Sequence, residues 1–108
     1  MTDQCLVYVT AADAAEAQRI GRTVVEERLA ACANLLGGMQ SIYQWKGRIC
    51  EDSEVAMILK TSGVRKNELV ARIRELHSYE TPCVVCLPIT DGNPDFLSWI
   101  DRETGGQA

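Results

Sequence analysis

Lysine and arginine form no dense cluster in this sequence, histidine occurs once, and no apolar run approaches the length of a bilayer. Each shortage removes a class of function. Eleven Lys and Arg are scattered against 15 Asp and Glu, for a net charge of −4. No basic stripe can track a phosphate backbone, so nucleic acid is excluded as a partner. Without a run of about 20 apolar residues there is no membrane span. The N-terminal stretch MTDQCLVYVT has an acidic residue and no basic flank ahead of its apolar run, which argues against a secretory signal and for a cytoplasmic protein. Five cysteines, an odd number in such a chain, then read as reduced thiols that act as small buried hydrophobes. One histidine cannot by itself close a four-ligand zinc shell. Internal repeats, linkers and low-complexity segments are also missing.

What remains fits one domain over residues 1–108, with GGQA (105–108) as a frayed tail. CLVYV (5–9) is a short β-rich run. Asp13, with Glu16 three positions on, has the spacing of a capping box, and Ile20, Val24, Val25 and Leu29 follow at helical intervals. Gly21 in that helix is either a weak spot or a close-packing position. ANLLGGMQSIYQW predicts a strand entered through irregular backbone at Gly37-Gly38, and Lys46-Gly47 a tight turn. Glu51-Asp52-Ser53 interrupts the returning strand as a bulge or kink. EVAMILKT continues it. A second amphipathic helix is expected over 65–77, halted by Pro82, and CVVCLPI is a strand. Asn93-Pro94 opens a short terminal helix.

The order β-α-β-β-α-β plus a helix predicts an α+β, ferredoxin-like fold with an antiparallel sheet and both main helices on one face. Strand parity adds a second expectation. Val55, Met57 and Leu59 share one face, yet Ala56 and Ile58 on the other are apolar too, and CLVYV and CVVCLPI are apolar at both parities. A sheet with one solvated face alternates apolar and polar. Here the second face must be covered as well, and the terminal helix is too short to do it. A homo-oligomer is the expected solution.

Several blocks together carry a family resemblance: VTAAD, VVEERLAACANLL, SIYQWKGRI, EVAMILKT, ELHSYETP and LPITDGNPDFLSWI. In order and spacing they resemble the CutA family, the divalent-cation tolerance proteins, over nearly the whole chain. The resemblance implies a ferredoxin-like subunit, a tight homotrimer built by edge-strand pairing and face packing, and a role in tolerance of copper and other metal ions. It implies no catalytic reaction and a shape like that of trimeric PII signalling proteins. Two positions depart from the family. Members usually carry Pro after the histidine, where this chain has Ser78. Some carry Cys immediately before Thr-Ala-x-Asp, where this chain has Val9, so a metal site built on that cysteine is absent or altered.

The candidate site residues follow. Cys83 and Cys86 have C-x-x-C spacing, but on a strand positions i and i+3 point to opposite faces, so they read as core thiols rather than as a redox or metal pair. Cys32, taken as closing the first helix, and His77, at the end of the second, are the candidate metal ligands, with copper the ion best suited to imidazole. No cofactor is obligatory. Trp45, Glu54, Lys60, Tyr79 and Glu80 are the candidates for a ligand cleft between subunits, because charges such as Glu54 and Lys60 on an interface face need partners. No catalytic residue is assigned. An acyl-phosphate hydrolase on this fold would need an Arg-bearing phosphate loop, and TAADAAEA holds neither Arg nor Gly. The leading reading is a trimeric protein that binds metal ions or small ligands in metal-ion homeostasis. The alternative is a PII-like signalling or scaffold module that binds a protein partner.

Overall fold

The computed structural model describes residues 3–105. Its elements are β1 (Gln4–Ala11), α1 (Ala14–Glu26), β2 (Cys32–Trp45), β3 (Arg48–Ser62), α2 (Lys66–Leu76), β4 (Val84–Ile89) and α3 (Pro94–Glu103). The strands form one antiparallel sheet in the order β2-β3-β1-β4. This is the ferredoxin-like arrangement that the sequence order predicts. Of the expected tail, Gly105 closes a turn on Arg102 at positive φ, and residues 106–108 lie outside the described residues.

One sheet face carries Val7, Val9, Met57 and Leu59, fully buried against Ile20 and Val24 of α1 and Leu69 and Ile73 of α2. Gly21 is a close-packing position. A Cβ there would lie 3.0 Å from Met57 Sδ and 3.1 Å from the Ala33 Cβ. On the opposite face α3 covers only one end. Asn93 caps it by accepting from the Asp95 amide, Asp101 accepts from Gln4, and Thr104 donates to Ser62 within the core. Beyond α3 that face is open, with Leu36, Val85 and Leu87 46%, 49% and 48% exposed.

Three local expectations are corrected. First, β3 runs unbroken through Glu51-Asp52-Ser53. These polar residues need no kink, because the β2–β3 hairpin projects beyond the helices and both of its sides meet solvent there. The bulge lies on the other strand: Leu36 pairs with Ala56 but Gly38 with Val55, which leaves one extra residue in β2. The hairpin closes at Lys46-Gly47, both at positive φ (50° and 78°), as a tight two-residue turn of this twist requires. Second, Cys32 does not close α1. That helix ends at Glu26, Arg28 turns the chain at φ 61°, and Cys32 is the first residue of β2. Third, Cys83 and Cys86 point to opposite faces as expected, but neither is core. Cys83 is half-buried just before β4, and Cys86 is exposed.

Candidate functional site

The bulge determines which side chains meet. Before it, the even-numbered residues of β2 share the open face. After it, the odd-numbered ones do, because Met39, Ser41, Tyr43 and Trp45 now stand opposite Glu54, Asp52, Cys50 and Arg48. The open side of the projecting hairpin, from Glu54 at its base to Trp45 beside the turn, therefore presents Ser41, Tyr43, Trp45 and Glu54, which line one cleft with Thr10 of β1. The segment that follows α2 completes the enclosure with Tyr79, Glu80, Thr81 and Cys83. The result is an open cleft of about 510 Å³.

His77 and Glu16 hold that segment in place. The backbone leaves helical geometry at His77, the C-cap of α2. Its Nε2 lies 2.7 Å from the Thr10 carbonyl oxygen, and its Nδ1 accepts from the Tyr79 amide at 3.1 Å. One nitrogen donates and the other accepts, which is the pattern of a neutral ring. Glu16, also buried, accepts from the amides of Ala12 (3.1 Å) and Ser78 (2.7 Å). Burial alone would raise its carboxyl. The bonds from Ser78 and Ala12 outweigh burial and hold it below the ordinary glutamate value. Thus fixed, Tyr79 stacks at a tilt on His77, ring centres 4.6 Å apart, and its hydroxyl donates to Glu54 Oε2 at 2.7 Å.

Inside the cleft the hydroxyls and the thiol are kept protonated. Burial first, then the bond to Glu54, pushes the Tyr79 hydroxyl well above its usual range. The hydrogen bond to Asp52 pushes Tyr43 up to about 12. Burial and the Glu54 charge raise the Cys83 thiol, with a hydrogen bond to Thr10 opposing them.

Of the residues expected in a cleft, the fold brings together Trp45, Glu54, Tyr79 and Glu80. Lys60 is not among them. It shares the open face but sits toward the α3 end, where its Nζ donates to Asn34 at 2.6 Å and lies 5.9 Å from the centre of the Phe96 ring. Cys32 is beside it, its Sγ 3.7 Å from Lys60 Nζ. Cys32 pairs with Lys60 and Thr10 with Ala56, positions four residues apart along β3, roughly 13 Å. Cys32 and His77 are therefore not brought together. His77, expected as a copper ligand, has both of its nitrogens engaged by backbone and its side chain 0% exposed. Among the described residues no three His, Cys, Asp or Glu side chains converge as a metal shell. Sequence reasoning missed Thr10, Ser41, Tyr43, Thr81 and Cys83. The aromatic-polar alternation of Ser41, Tyr43 and Trp45 was the available signal, hidden by the one-residue offset at the bulge.

Comparison with known proteins adds the lineage. The profile of the family described as CutA1 divalent ion tolerance protein matches residues 5–103. The chain is 40% identical over 100 residues to the divalent-cation tolerance protein CutA of Thermus thermophilus, an alignment covering 93% of this chain and 97% of that one. It is 45% identical over 97 residues to protein CutA of Mus musculus, covering 90% of this chain but only 55% of the longer mouse protein. Among solved structures, the divalent cation tolerance protein of Thermus thermophilus superposes with a TM-score of 0.92 at 39% identity, covering 94% of this chain and 99% of that one.

Proposed function

The chain belongs to the CutA1 divalent ion tolerance family, and we propose that it serves divalent-cation tolerance as a cytoplasmic homotrimer that binds a small ligand in the cleft. The observation that carries this reading is Glu54, a carboxylate only 8% exposed, set among aromatic side chains in a cleft that opens on the apolar sheet face. Trimer formation is supported by that face. Left alone, Leu36, Val85 and Leu87 would stand half in water, and Ile42 and Ile49 at 69% exposure on the projecting hairpin. Exposed apolar residues on the open face, with Ile42 and Ile49 on the other side of the hairpin, mark interaction surfaces. Copies meeting through these faces and hairpins would bury them, with interfaces of the obligate type above roughly 2,000 Å². They would also bring a neighbour to the mouth of the cleft.

The role is that of a binding protein rather than an enzyme. A nucleophilic cysteine needs a lowered pKa, and the thiol in the cleft, Cys83, is pushed the other way. Five free cysteines suit the reducing cytoplasm. With both His77 nitrogens occupied, the response to metal runs through the cleft and the assembly and not through a copper site at that imidazole.

A strain lacking its own family member tests the reading. Wild-type protein should restore growth on graded copper, and Trp45→Ala, while still sedimenting as a trimer, should not. Full restoration by that variant would remove the cleft from the function. A stable wild-type monomer at low micromolar concentration would remove the trimer.

A further inference from the structure

We infer that the cleft takes a small organic ammonium ion, with Glu54 as its counter-charge and the rings of Tyr43, Trp45 and Tyr79 as its walls, resting on the role of the cleft as a ligand site. Glu54 is more than nine-tenths buried, yet it takes part in no ion pair among the described residues. Its hydrogen bond there comes from the neutral Tyr79 hydroxyl, to Oε2. Oε1 has no donor among those residues and opens on the cleft. A carboxylate largely shielded from water gains from a cation at its one open oxygen.

The surroundings deepen the imbalance. Glu80 also lines the cleft, Asp52 stands on the same face bonded to Tyr43, and no Lys, Arg or His contributes to the lining. An anionic ligand would meet carboxylates and no basic partner. A bare metal ion would find no convergent set of three ligands, whereas hard divalent ions want six or more oxygens. Aromatic faces beside a carboxylate suit instead a diffuse organic cation, held by ring quadrupoles and by charge. The Trp45 ring is within cation–π reach of an ammonium, with Lys46 Nζ 5.7 Å from its centre. At about 510 Å³ the space suits a ligand of modest size.

Choline and 3,3-dimethyl-1-butanol, its uncharged isostere, separate charge from shape. Calorimetric titration of the assembled full-length protein at neutral pH should show choline binding roughly 10- to 30-fold more tightly than the alcohol. The advantage should shrink as salt is raised. Glu54→Gln, which keeps an acceptor for the Tyr79 hydroxyl, should abolish most of it. Trp45→Leu, an independent variant that leaves Glu54 in place, should weaken choline more than the alcohol. Equal binding of the two probes would overturn the cationic class and leave the cleft as a ligand site. Binding of neither at millimolar concentration would overturn both. If choline fails to bind and Glu54→Gln instead splits the assembly, the counter-charge is a basic side chain of a neighbouring copy, and the inference is again overturned.

Discussion

Replacing Glu16 by Gln should loosen the joint between α1 and the segment that carries Tyr79. The carboxylate accepts from two backbone amides at once, Ala12 at 3.1 Å and Ser78 at 2.7 Å, and its side chain is 8% exposed. A glutamine offers one oxygen in the same space and turns an NH₂ group toward the second amide. One charge-assisted bond is lost, and two buried donors face each other. The expected cost is about 2 kcal/mol. For a domain of this size that lowers the midpoint of thermal unfolding by about 10 °C. Urea unfolding at a fixed protomer concentration measures the difference, since assembly links stability to concentration. The pH dependence supplies the sign. The folded-state pKa of Glu16 lies below its unfolded value, about 4.3. Its contribution is therefore present in full above that unfolded value and is lost as pH falls through the folded one. The gap between wild type and Glu16→Gln should be widest near neutrality and narrow in acid. A gap under about 0.5 kcal/mol, within the range of an ordinary surface substitution, would refute the role of the carboxylate. A gap independent of pH would show that shape and not charge is at stake.

Other substitutions test the packing and the metal chemistry. Gly21→Ala gains up to about 1 kcal/mol of helix propensity but should be net destabilising in thermal denaturation, because its Cβ meets Met57 and Ala33 at 3.0 and 3.1 Å; a more stable variant would mean that Met57 swings aside freely. His77→Ala should lower stability by about 2 kcal/mol through two unsatisfied backbone groups and leave copper affinity per folded protein unchanged, as read by spectroscopic titration. A large loss of copper binding in that variant would restore the imidazole as a ligand. Mass spectrometry after alkylation of native and denatured protein should find no disulfide between Cys83 and Cys86, which point to opposite faces; such a bond would contradict the course of the chain at the start of β4.

The sequence made the architecture legible because its signals were periodic. Helical spacing of Ile20 and Val24, the Asp13 cap and the Asn93-Pro94 start all mark elements that form where expected. The doubly apolar strands marked a second face that the chain alone leaves open. Of the five residues expected in a cleft, all but Lys60 line it. What stayed hidden was non-local. Nothing in the run that ends at His77 shows that its ring spans from Thr10 to Tyr79, so a buried structural imidazole looked like a free ligand. Lys60 shared the right face but not the right end, a distance along the strand that parity cannot report. Cys32 was misplaced because the turn through Arg28 at positive φ ends the helix without a glycine or proline to announce it.

The extra residue near Gly37 gives β2 two phases. Up to Leu36 the strand is read in one frame by the sheet, and from Gly38 in the other. The composition of the cleft is therefore set by counting and not only by chemistry. Straighten the bulge, so that Gly37 takes Val55 and every later residue slips by one rung, and Ile42 and Gln44 turn to the open face while Tyr43 and Trp45 turn away. The bulge acts as a selector between two different binding surfaces encoded in one hairpin. The hairpin tip carries no side chain into the core, yet Trp45 beside the turn still depends on that parity for its place in the cleft.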